Sequence, residues 1–82
     1  MKKLVLMTTL GCHLCELAEA VLIETLHADD VIVEAQDIAD DELLVKRYGV
    51  RIPVLLHESS GAELGWPFDA GQLREFVDGL PG

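Results

Sequence analysis

Cys12 and Cys15 are the two cysteines of this 82-residue chain, and they stand three positions apart in Thr8-Thr9-Leu10-Gly11-Cys12-His13-Leu14-Cys15. An apolar run ends there and a helix-like pattern begins. Thiols at i and i+3 on a first helical turn occupy neighbouring positions of one face, so they can close a disulfide locally and cycle between dithiol and disulfide. Cys12 is the expected nucleophile, because the first residues of a helix offer unpaired N–H groups and the positive end of the dipole to a thiolate. A free thiol titrates near 8.5, and such surroundings lower that to roughly 3.5–7.5. Cys15 would then resolve the mixed disulfide formed by Cys12. His13, between them, would stabilise the thiolate as an imidazolium; the plainer alternative is a first-turn residue facing solvent.

The competing chemistry for a cysteine pair is metal binding. Zinc takes four ligands. His27 follows Cys15 by 12 positions with no second histidine close behind it, and His57 is remote, so no metal site is expected within the chain itself. The alternative class is a non-catalytic module that binds a partner through a groove or the cysteine pair, or a metal-binding one, with a half-site completed by another chain or an iron-sulfur cluster bridged between subunits.

The elements that must position the pair follow from periodicity and punctuation. Lys3–Thr8 is a short continuous apolar run, the pattern of a central strand covered on both faces. A helical stripe of Leu14, Leu17, Ala18, Val21, Leu22 and Thr25 runs to about His27. Val31–Ala35 reads as a second strand, which makes a right-handed βαβ unit with parallel strands. Asp40, or alternatively Asp37, caps a second helix that ends near Tyr48, with Gly49 as a left-handed stop. Pro53 has no N–H and so belongs at the entry of the third strand, Val54–His57. Residues 58–62 have hairpin chemistry, Glu63–Trp66 is the expected return strand, and Asp69-Ala70-Gly71-Gln72 resembles a capping box with Phe68 and Leu73 as its hydrophobic staple. The last helix uses Leu73, Phe76, Val77 and Leu80.

Other polar and aromatic residues have structural readings beside functional ones. Lys46, Arg47 and Arg51 are half of the six basic residues. Lys46 and Arg47 complement a helix C-terminus, whereas Arg51 is placed to contact a carboxylate of a bound partner. Trp66 either covers the small core or stands beside a groove. Tyr48 and Phe76 read as core, and His57 reads as surface.

A chain of this length is one domain, 1–82, with a small core. Half of its residues are apolar and its mean hydropathy is +0.29, so it packs rather than staying disordered. Its formal charge of -9 disfavours nucleic acid and anionic membrane as partners. No apolar run approaches the roughly 20 residues of a membrane span, and Met1-Lys2-Lys3 leads into strand-like sequence without a cleavage signal. A soluble, cytoplasmic monomer is expected.

The order βαβαββα, with CxxC at the first strand-to-helix junction and Ile52-Pro53 opening the third strand, resembles the minimal thioredoxin fold in its glutaredoxin-like form, an α/β class with a four-stranded mixed sheet flanked by three helices. Thr8–Glu16, Asp37-Ile38-Ala39-Asp40 and Tyr48–Leu55 are most similar to small bacterial glutaredoxin-like proteins. The resemblance implies a thiol-disulfide oxidoreductase in which Cys12 and Cys15 act on protein or glutathione disulfides. It implies no tightly bound cofactor, with glutathione as a candidate co-substrate. It also implies a cis Ile52–Pro53 peptide beside the cysteines, and pairing of the Ile52 backbone with an extended substrate. Arg51, Trp66 and Asp69 would complete the substrate site. His13-Leu14 stands where glutaredoxins usually carry Pro-Tyr, and Gly65-Trp66-Pro67-Phe68 where they usually carry paired glycines.

Overall fold

The structure, a computed structural model, describes residues 2–27 and 29–81. Strand β1 (Lys2–Thr8) is followed by helix α1 (His13–Thr25), strand β2 (Val31–Asp37), a single 3-10 turn (Ile38–Asp40), helix α2 (Glu42–Tyr48), strands β3 (Val54–His57) and β4 (Ala62–Gly65), and helix α3 (Ala70–Asp78). The sheet order is β2-β1-β3-β4. Strands β1 and β2 are parallel, and the other two pairings are antiparallel.

The apolar run of β1 is continuous because both faces of that strand are covered. Leu4 and Leu6 pack with Leu55, Ala18, Leu22, Leu73 and Val77 under α1 and α3. Val5 and Met7 point the other way, onto Val54, Ile38 and Tyr48 beneath α2. Each fully buried leucine contributes about 1.5–3 kcal/mol, so these two layers hold the sheet between its helices. Helix α3 is held at its start by the capping box, where the Asp69 Oδ1 accepts from the Gln72 N–H at 2.8 Å and the Gln72 Oε1 accepts from the Asp69 N–H at 2.9 Å. Phe68 and Leu73 are both buried beside it, as the staple requires.

Several local expectations are corrected. Helix α2 is capped by Asp41, whose Oδ1 accepts from the N–H groups of Leu43 and Leu44. Asp40 is consumed by the 3-10 turn, which Asp37 caps through the Ala39 N–H. Gly49 is right-handed, at φ -48°. The chain turns without a left-handed residue, because the N–H groups of Arg51 and Ile52 both donate to the Tyr48 carbonyl at 2.7 and 3.0 Å.

Strand β2 runs two residues further than its apolar stretch, since Gln36 and Asp37 stay in register with Met7 and Thr8. Strand β4 lies one residue earlier than expected: Gly61, at φ 78°, closes the turn with its N–H on the His57 carbonyl. On α1 the buried line is Cys15, Ala18 and Leu22, while Leu14 and Leu17 are exposed. His57 is buried, at 1% exposure, because the Ser60 hydroxyl 2.7 Å from its Nδ1 satisfies the ring.

Candidate active site

The register of the sheet brings two of the candidate residues, Pro53 and Trp66, level with the end of β1. Thr8 pairs with Asp37, Met7 with Val54, and Val54 with Gly65. One step further along the strands, Pro53 lies level with Thr8, and the Trp66 N–H donates to the Pro53 carbonyl at 3.1 Å. Asp37, Thr8, Pro53 and Trp66 thus form a row across all four strands, at the end where β1 hands over to α1. The Ile52–Pro53 and Trp66–Pro67 peptide bonds are both cis.

Above this row the chain turns into α1 through Gly11, at φ 77°. A side chain in that region is disfavoured by its own backbone, and nothing else lies within 4 Å of the position a Cβ would take. Cys12 is the extended N-cap residue, at φ -84° and ψ 104°, and its Sγ accepts the Cys15 N–H at 3.2 Å. The nucleophile candidate therefore occupies the place usually taken by a serine or aspartate oxygen. It sits against the N–H groups that the helix leaves unpaired.

The two Sγ atoms are at disulfide distance, with Cα atoms 5.2 Å apart. Cys12 is partly exposed, whereas Cys15 is 2% exposed. A substrate can reach the first sulfur and must leave the second to act from within. Both border an open cavity of about 360 Å3 that is also lined by Thr8, Thr9, Leu10, Glu16, Glu19 and Asp37. The Thr9 hydroxyl donates to the Asp37 Oδ1 at 3.1 Å, holding that carboxylate in the lining.

The remaining candidates have defined places. His13 is exposed, and its Nδ1 lies 3.7 Å from the Glu16 carboxylate. Arg51 donates to the Glu63 Oε1 at 2.6 Å and stacks over the Tyr48 ring, 5.3 Å from its centroid. The Tyr48 hydroxyl donates to the other oxygen of Glu63 at 2.8 Å. Hydrogen bonds from Arg51 and then Tyr48 hold the Glu63 carboxyl below its usual range, while burial and then the bond to Glu63 raise the Tyr48 phenol.

Trp66 is half-buried, edge-on to Phe68 at 5.1 Å and packed against the core. Asp69 is engaged in its cap. Ile52 packs beside Tyr48 and Val54. The wall of Glu16, Glu19 and Asp37 was missed by sequence reasoning. Glu16 and Glu19 lie at helical spacing from Cys12 and Cys15, and extending β2 by two residues would have placed Asp37 beside Thr8. Among the described residues, no three histidine, cysteine, aspartate or glutamate side chains converge as a metal-ligand cluster, and no helix is long and apolar enough to cross a membrane.

A mixed sheet in the order β2-β1-β3-β4, with a cysteine pair where its first strand meets its first helix, defines a thioredoxin-fold protein. Residues 3–78 match the model of the glutaredoxin-like domain family (DUF836), and the chain belongs to that family. Its structure is similar to the X-ray structure of the structural-genomics target protein XcR50 from X. campestris. The TM-score is 0.83 at 38% identity, over 95% of this chain and 99% of that one. No curated protein matches the chain.

Proposed function

We propose that the protein is a dithiol-disulfide oxidoreductase. The observation that carries this reading is the Cys12 Sγ, partly exposed and accepting the Cys15 N–H at the start of α1. In the reduced protein, the Cys12 thiolate attacks one sulfur of a substrate disulfide and expels the other as a thiolate, which takes a proton from water. Cys15, freed of its proton, then attacks the Cys12 Sγ and releases the second substrate thiolate. The substrate gains two electrons and the cysteine pair becomes a disulfide. An external dithiol or glutathione returns the pair to its reduced form.

The segment around Ile52–Pro53 is assigned to docking of the substrate backbone, since the register sets Pro53 level with Thr8 at the end of the sheet that leads to Cys12. His13 is assigned to tuning the Cys12 thiolate in competition with Glu16. Arg51, Trp66 and Asp69 are assigned to the same substrate site, with Arg51 able to meet a substrate carboxylate only by leaving Glu63. The substrates are protein or glutathione mixed disulfides, handled by a monomer in the cytoplasm. Reduction of insulin and of a glutathione mixed disulfide by wild type and Cys12→Ser tests the assignment. Turnover by wild type and none by the variant is expected, and equal rates would overturn it.

A further inference from the structure

The charges around the reactive sulfur discriminate between the substrates that the proposed exchange reaction could accept. The sulfurs define what enters the cavity, a disulfide; the wall decides which one. Glu16, Glu19 and Asp37 line that wall and no lysine or arginine does. Asp37 is pinned in place by Thr9. Arg51, which precedes Ile52 and Pro53, is held by Glu63 at 2.6 Å, and the chain as a whole carries a formal charge of -9. Leu10, 90% exposed at the lip of the cavity, adds an apolar contact and no charge.

Glutathione disulfide, which is net negative at neutral pH, meets like charge at Glu16, Glu19 and Asp37 along this wall, offset only by His13, 3.7 Å from Glu16, when its ring is protonated. A disulfide flanked by lysine or arginine meets opposite charge. Such complementarity acts chiefly on the rate of encounter, and salt weakens it. Resting on the oxidoreductase reading above, we infer that this site selects disulfides set in basic peptide or protein segments over glutathione disulfide and over disulfides in acidic segments.

The test follows oxidation of the pre-reduced protein by three probes: a disulfide-linked peptide with flanking lysines, the same peptide with flanking glutamates, and glutathione disulfide. Second-order rate constants are measured at low and high salt for wild type, for Glu16→Gln/Glu19→Gln, and for Glu24→Gln/Glu75→Gln, which changes net charge equally away from the cavity. The lysine peptide should react at least about tenfold faster than the other two at low salt. The ratio should shrink with salt and in the cavity variant, but hold in the distant one. Equal rates for the two peptides, preference for glutathione disulfide, or the same loss in both variants would overturn the selection while leaving the oxidoreductase reading intact. Absence of exchange with every probe would overturn both.

Discussion

The backbone N–H of Cys15 donates to the Sγ of Cys12 at 3.2 Å, so the second cysteine of the pair positions the first through its main chain as well as through its sulfur. Serine supports the same N-cap bond. The Cys12→Ser variant should therefore match the reduced wild type in stability to within about 1 kcal/mol while losing disulfide exchange altogether. Denaturant unfolding under reducing conditions, run beside the exchange assay, checks both halves.

Gly11 sets the entry to α1 from the left-handed region, with open space where a Cβ would stand. Gly11→Ala should cost about 1–2 kcal/mol from its own backbone alone. A loss well above that would mean that the turn rearranges, and the exchange rate should then fall with it.

Glu63 joins Arg51 and Tyr48 beneath the loop that carries Ile52 and Pro53. Its carboxyl is held below the ordinary 4.5, so its contribution to stability is complete above that value and disappears as pH falls through the lower, folded one. Tyr48 is raised above 10.0, so its contribution is complete below pH 10 and is lost as pH rises through the higher, folded value. Tyr48 is the single tyrosine, which makes phenolate absorbance a clean readout. Its midpoint should lie above 10 in wild type and move part of the way back in Glu63→Gln, because burial is the larger cause. The same variant should lose less stability than wild type on acidification below about pH 4.5.

Asp69 caps α3, and the proposed function also assigns it to substrate contact. Asp69→Ala should cost about 1 kcal/mol. Asp69→Asn keeps an acceptor for the Gln72 N–H and should fold as stably as wild type. A changed exchange rate in Asp69→Asn at unchanged stability would show the substrate contact, whereas an unchanged rate would leave Asp69 a cap only.

The order of elements was legible because each signal was local: the apolar run of β1, the thiols at a helix start, Pro53 before an apolar strand, and the capping box at Asp69. What was not legible depended on partners distant in sequence. Strand β2 reaches Asp37 only because β1 is there to pair with Gln36 and Asp37. His57 is buried because Ser60 folds back to it across the hairpin. On α1, Cys15 takes the first buried position because Cys12 caps the helix, which turns Leu14 and Leu17 outward. The Asp40 and Gly49 assignments missed for a smaller reason: a 3-10 turn and a tight reversal satisfy the same backbone groups by other geometries. The engagement of Arg51 by Glu63 was likewise hidden, since it joins residues 12 apart through the β3–β4 hairpin.

In the proposed reaction the start of α1 holds the Cys12 sulfur ionised. Titration of thiolate absorbance in the Cys15→Ser variant, where Cys12 is the one remaining thiol, tests it without a substrate or a partner enzyme. A midpoint clearly below the value near 8.5 of a free thiol is expected, matched by a rate of alkylation that rises over the same pH range. A midpoint at or above that of a free thiol would contradict it.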